Sequence, residues 1–238
     1  MTIAFISDLH LSADRPSSVS MFCDFMEKSG CLLSRLYILG DLFDYWIGDD
    51  GTEALGFGRV EQALKQTTDG GTEIFFIAGN RDFLEGEDFA GRTGIRILPD
   101  KTILELYDQR VMIAHGDQFC IDDLAYMQAR EHFLNPEWQQ AVLKTPIEDR
   151  IQEALKMRQK SEHSKVEKSE EIMDVNQEEI IRTFREYDLD LLIHGHTHRP
   201  YVHKLEIDGR ECRRYVLGEW GSERSVIYAN QGKYYLKK

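Results

Sequence analysis

IAFISDLH (residues 3–10) and LYILGD (residues 36–41) set the reading of the chain: a short apolar run stops at once on polar, metal-competent side chains. The same pattern recurs three more times. Ile74 to Ala78 leads into Gly79-Asn80-Arg81-Asp82, Val111 to Ala114 into His115-Gly116-Asp117, and Leu189 to Ile193 into His194-Gly195-His196-Thr197-His198. Runs this short, rich in Ile, Leu and Phe and closed by polar residues, have the character of strands buried on both faces. Between them, Ser17 to Lys28 carries Val19, Phe22, Phe25 and Met26 at helical spacing, and Gly58 to Gln66 is a second expected helix. Strands alternating with helices predict an α/β sheet, which places ligands at the carboxyl ends of its strands. Five polar clusters, each just past a strand, are therefore expected on one rim.

Composition narrows the class. The chain has 238 residues, 42% hydrophobic and 30% charged, which fits a globular core rather than disorder or a membrane-embedded chain. With 29 basic against 42 acidic residues the formal net charge is −13, so a general nucleic-acid coat is excluded. An anionic substrate is not excluded, because a metal ion inverts the local field. Cys23, Cys31, Cys120 and Cys212 show no paired spacing and read as cytosolic thiols. The first ten residues lack the basic stretch of a signal peptide, and no apolar run approaches the roughly 18 residues of a membrane span. The expected compartment is the cytosol.

Residues Ile121 to Asn176 form a mostly helical stretch broken by Pro136 and Pro146, with Ile147, Ile151 and Leu155 as an i, i+4, i+8 stripe. From Tyr201 onward strands return, with turn signals at Asp208-Gly209 and Asn230-Gln231-Gly232. A single domain over residues 1–238 is expected, with a helical insertion of about residues 121–176 forming a cap.

The clusters supply seven candidate ligands. Asp8 and His10 lie two apart, so extended backbone would project both from one face, and His196 and His198 repeat that spacing. Asp41 has two oxygens able to bridge two ions, Asn80 offers an amide oxygen, and His115 an imidazole. Mixed N and O donors without thiolate suit Mn, Fe or Zn better than Ca. Two ions roughly 3.5–4 Å apart would sharpen a bridging water into hydroxide and clamp a phosphoryl group. Asp44, Asp82 and Asp117 are expected to accept hydrogen bonds from ligand imidazoles or to cap loops. His132, His163, His194 and His203 are expected to be structural or solvated rather than ligands. Tyr45 and Trp46 either line an apolar groove or pack in the core.

In this order D-x-H, G-D, G-N-R, H-G-D and G-H-x-H resemble the calcineurin-type metallophosphoesterases. The resemblance implies a four-layer α-β-β-α sandwich with a dinuclear site. One ion would be held by Asp8, His10, Asp41 and His198, the other by Asp41, Asn80, His115 and His196. Many members carry a His after the motif Asn, whereas this chain has Arg81. Arginine cannot act as a general acid near neutral pH, but it neutralises phosphate bidentately. That exchange suits a leaving group needing no proton, such as a phosphate with a second pKa of about 6. A pyrophosphate is therefore the expected substrate class.

The longer stretches GDLFDYWIGDD (40–50), AGNRDFL (78–84), HGDQFCIDD (115–123), IMDVNQ (172–177) and LIHGHTHRP (192–200) are similar to the UDP-2,3-diacylglucosamine diphosphatase family of lipid A biosynthesis. This resemblance implies attack of a metal-bridging hydroxide on the α-phosphorus, giving UMP and 2,3-diacylglucosamine 1-phosphate (lipid X), with two Mn ions. Asp41, Asn80, Arg81 and His115 would serve the chemistry, and Asn80, Arg81, Asp123, Ser161, Lys165, Lys168 and His196 would contact the substrate. It also implies a peripheral position on the cytoplasmic side of the inner membrane, with no nucleic acid and no obligate protein partner. Residues 141–168 hold seven basic and five acidic side chains, a locally basic segment suited to anionic lipid. Two alternatives share these motifs: a broader nucleotide pyrophosphatase or phosphodiesterase, and a scaffold that keeps the fold without the chemistry.

Overall fold

The computed structural model describes residues 2–167, 172, 174–221 and 223–238, with the side chains of 162–167 excluded. The first hundred residues alternate as the apolar runs predict: β1 (Ile3–Ile6), α1 (Pro16–Lys28), β2 (Arg35–Leu39), α2 (Thr52–Leu55), α3 (Gly58–Asp69), β3 (Glu73–Ile77), α4 (Glu87–Thr93) and β4 (Arg96–Leu98). β1 to β4 pair in parallel, so the polar residues after β1, β2 and β3 emerge at the same edge. α1 begins at Pro16, whose fixed φ is already helical.

The chain continues through β5 (Lys101–Leu106), β6 (Gln109–Ala114), α5 (Leu124–Phe133), α6 (Pro136–Leu143), α7 (Ile147–Glu167), α8 (Gln177–Tyr187), β7 (Leu191–His194), β8 (Tyr201–Ile207), β9 (Arg210–Val216), β10 (Val226–Asn230) and β11 (Lys233–Lys237). A second sheet has the order β5-β6-β7-β9-β8, with β6, β7 and β9 parallel. β10 and β11 rejoin the first sheet, whose order is β11-β10-β1-β2-β3-β4. Both hairpins at the expected turns have positive φ at their two central residues, Asp208-Gly209 and Gln231-Gly232, as a two-residue type I′ loop requires.

Three buried clusters define four layers. Alternate residues of the first sheet, among them Ala4, Ile6, Leu36 and Ile38, pack on Phe22, Phe25, Val60, Leu64 and Phe89 of the outer helices. Their neighbours Ile3, Phe5, Tyr37 and Leu39 meet Val111, Ile113, Leu191 and Ile193 of the second sheet. Met112, Ala114 and Leu192 turn outward onto Ile180 and Phe184 of α8. Burial on both faces explains why the central strands read as continuous apolar runs. The architecture is the α-β-β-α sandwich.

The two prolines of the helical stretch mark starts rather than interruptions, since Pro136 opens α6 and Pro146 immediately precedes α7. The expected stripe on α7 is corrected at its third position. Ile147 and Ile151 pack on the core together with Ala154, whereas Leu155 is 38% exposed. The buried face also carries Arg150, whose guanidinium donates to Ile47 O and Asp50 Oδ1 (2.8 Å). Trp46 is a core residue, stacked on Phe43 at 4.6 Å, and Tyr45 packs against the same cluster.

Candidate metal centre

The loops that follow β1, β2 and β7 all turn through left-handed backbone. Asp8, His10, Asp41, His196 and His198 have φ of 57°, 45°, 52°, 67° and 55°. The expectation that Asp8 and His10 share a face through extended backbone is therefore corrected. The chain curls back, and Leu9 and His10 both donate their amides to Asp41 O at 2.9 Å. The glycines are tied to this tight approach: a Cβ on Gly79 would run into the Asp41 carboxylate, and one on Gly195 into that of Asp8. Asp82 caps the assembly, accepting the amides of Asp41 (3.1 Å), Leu42 (2.7 Å) and Gly79 (2.8 Å).

All seven expected donors come together. His10 Nε2 lies 3.2 Å from His198 Nε2, and His198 Nε2 lies 3.3 Å from Asp8 Oδ1. Asn80 Oδ1 stands 3.1 Å from His115 Nε2 and 3.0 Å from His196 Nδ1. Asp41 faces both groups, Oδ2 at 3.8 Å from His10 Nε2 and Oδ1 at 3.7 Å from His115 Nε2. Among the described residues, two sets of acidic and imidazole groups close tightly enough to hold an ion, Asp8 with His10 and His198, and Asp8 with Asp41 and His115. Asp8 thus belongs to both sets, where the resemblance assigns it to one.

The electrostatics divide the four imidazoles: carboxylates favour positive charge on His115 and His198, whereas burial disfavours it on His10 and His196. Burial opposes an imidazolium at His115, but Asp41 and Asp8 outweigh it and raise the group to about 9. Burial likewise opposes charge on His198, yet hydrogen bonds to Asp8 and Glu219 raise it to about 10. Burial would lift the Asp8 carboxyl, but His198, His115 and His10 hold it well below the usual range. His196 is pushed down to about 4, by burial and by the charge of His115. Clustered lone pairs of N and O, turned toward shared points and free of thiolate, are the donor set a divalent cation needs.

Residues 1–200 match the calcineurin-like phosphoesterase family. The chain belongs to that family. Curated proteins named UDP-2,3-diacylglucosamine hydrolase resemble it from end to end. The protein from Stenotrophomonas maltophilia (strain K279a) is 43% identical over 243 residues, covering 99% of this chain and 98% of the relative. That from Proteus mirabilis (strain HI4320) is 42% identical, covering 98% and 97%. That from Haemophilus influenzae is 46% identical, covering 94% and 92%. Among solved structures, an archaeal phosphodiesterase is similar at a TM-score of 0.48 and 14% identity, covering 100% of this chain and 99% of its own. The chain is a metal-dependent hydrolase.

Around the centre of this phosphoesterase, Arg81 donates its amide to Asp41 Oδ1 (2.9 Å), and its guanidinium reaches Ser161 Oγ of α7 at 3.4 Å. Asp123 caps α5, accepting the amide of Tyr126 at 3.1 Å. Lys168 and the side chain of Lys165 lie outside the described residues. A cavity of about 190 Å³ opens beside Asn80, lined by Phe83, Leu98, Phe133 and Leu134 with Tyr126 and Arg130.

Asp44, Asp82 and Asp117 do not hold the imidazoles. Asp44 pairs with Arg158 of α7 (2.6 Å), and Asp117 accepts from Tyr126 Oη (2.6 Å) and Arg130 Nε (2.7 Å) of α5. The imidazole acceptors are Leu39 O, 2.8 Å from His115 Nδ1, and Glu219 Oε2, 3.2 Å from His198 Nδ1. Neither carries a sequence signal, since one is a backbone carbonyl and the other stands apart from every motif. His194 is buried and neutral, pushed down to about 3 by burial and by Arg214. Two of the seven basic residues in 141–168, Arg150 and Arg158, turn inward to Asp50 and Asp44, so the segment is less basic outward than its composition suggests. Among the described residues no helix is long and apolar enough to cross a membrane.

Proposed function

We propose that this phosphoesterase hydrolyses the pyrophosphate bond of UDP-2,3-diacylglucosamine, releasing UMP and 2,3-diacylglucosamine 1-phosphate. The observation that carries the reading is the position of Arg81, fixed by its amide to Asp41 and reaching by its side chain toward α7. A guanidinium there stands between the metal ligands and the helices of residues 121–176, where it can neutralise the diphosphate. The names of the end-to-end relatives support the same substrate.

Asp8, His10, Asp41 and His198 would hold one Mn ion, and Asp41, Asn80, His115 and His196 a second. Such ions supply Lewis acidity toward water and phosphoryl oxygen. Asp41, whose two oxygens face His10 and His115, would be shared by both groups. Arg81 and Asn80 orient the phosphate on the uridine side, so that the lipid phosphate leaves intact. Ser161, Lys165, Lys168 and Asp123 hold the glucosamine half. The cavity lined by Phe83, Leu98, Phe133 and Leu134 takes acyl chain, under a cap formed by α5, α6 and α7. α5 and α6 bury no residue, and Leu124, Leu143 and, in the turn between the helices, Leu134 are exposed, which supports a peripheral seat on the inner-membrane surface.

The test is purified protein with Mn and UDP-2,3-diacylglucosamine in ¹⁸O-labelled water. UMP should form and carry the label, leaving lipid X unlabelled. Label in lipid X would reverse the point of attack. Equal rates on a water-soluble UDP-sugar would favour a general nucleotide pyrophosphatase instead.

A further inference from the structure

Glu219 lies beyond the segment that matches the family, on the loop between β9 and β10. Its Oε2 is 3.2 Å from His198 Nδ1, on the side of the ring away from the centre. The opposite nitrogen, Nε2, is the one that faces Asp8 and His10. The backbone around Glu219 is pinned on both sides: Leu217 N donates to His194 O (2.8 Å), Gly218 N to Ser225 Oγ (2.8 Å) and Trp220 N to Asp8 O (3.0 Å). Trp220 is itself anchored, buried edge-on against Phe25. The second oxygen, Oε1, faces Arg15 Nη1 at 4.0 Å, and Arg15 Nη2 donates to His10 O at 2.7 Å.

We propose that Glu219 is a positioning residue that accepts the Nδ1–H of His198 and so presents the Nε2 lone pair to a divalent cation. A neutral imidazole carries one ring proton, and a proton on Nε2 would block coordination. An acceptor behind Nδ1 keeps the proton there and fixes the ring plane. His115 follows the same plan within the same centre, with Leu39 O behind Nδ1 and Nε2 turned inward. The proposal rests on His198 being a ligand.

The experiment is Mn titration of chelator-stripped protein, following free Mn by its electron paramagnetic resonance signal, for wild type, Glu219→Ala, Glu219→Gln and His198→Ala. Glu219→Ala should weaken one Mn roughly 10-fold, the lower end of the range for such partners, because Glu219 is partly exposed. Glu219→Gln, whose amide oxygen can accept the same N–H, should recover most of that loss. Stripped Glu219→Ala should stay folded, losing only the half-exposed pair with His198. Wild-type affinity in Glu219→Ala, beside a lost ion in His198→Ala, overturns the positioning role alone. Equal losses in the Ala and Gln variants would assign the effect to charge and overturn it too. Unchanged Mn binding in His198→Ala would remove the ligand reading and this proposal with it.

Discussion

Asp41 stands with one carboxylate oxygen toward His10 and the other toward His115, so one side chain serves both groups of donors. Asp41→Ala should lower kcat by at least about 10³-fold while circular dichroism stays native, because no neighbour can replace a shared carboxylate. A near-normal rate would sink the two-ion reading. Arg81→Ala should cost kcat roughly 10²–10³-fold, with Arg81→Lys recovering part, since a lysine keeps the charge but not the fork. Full recovery by Arg81→His would mean that the leaving group needs a proton. All seven donors were legible in the sequence because each stands just past an apolar run. Their backbone was not. Left-handed φ at Asp8, His10 and Asp41 is set by contacts between loops some thirty residues apart, which no local pattern encodes.

At the scale of elements, α7 is tied to the core by two arginines rather than by apolar packing alone. Arg150 is 4% exposed and bonds Asp50 and the Ile47 carbonyl. Arg150→Met should cost about 1–3 kcal/mol by urea titration, because it strips a buried carbonyl of its donor. The hydrogen bond from Arg150 holds the Asp50 carboxyl below the ordinary 3.8. A carboxyl depressed in the fold stabilises above its unfolded value and loses that contribution as pH falls through its folded value. The melting-temperature gap between wild type and Asp50→Asn should therefore be steady above about pH 5 and close below about pH 4. A gap that widens in acid would contradict the pairing. The five apolar runs became β1, β2, β3, β6 and β7, parallel strands whose burial on both faces made them legible. β4 and β5 were not anticipated, because one has three residues and the other is a half-exposed edge strand without a continuous apolar run.

Across the whole molecule, the centre joins two sheets: Asp8, Asp41 and Asn80 come from the first, His115, His196 and His198 from the second. Cations held there would cross-link the two halves and offset the repulsion of buried Asp8 and Asp41. A ligand at 100 times its Kd stabilises by about 2.7 kcal/mol. Restoring Mn to stripped protein should thus raise the melting temperature by roughly 5–10 °C per ion, in a concentration-dependent way. A melting temperature indifferent to chelator and Mn would place the centre outside the folding equilibrium.

The left-handed backbone beneath Asp8, His10, Asp41, His196 and His198 has a consequence for any search of sequence space. Side chains with a Cβ resist that conformation at a cost on the order of 1 kcal/mol each, and glycine does not. Replacing a ligand by glycine would relieve strain and destroy the centre in one step. A variant library ranked by heat resistance in chelator should accumulate such losses. The same library ranked with Mn present should be depleted of them, so the metal decides whether thermal selection preserves the site or erodes it.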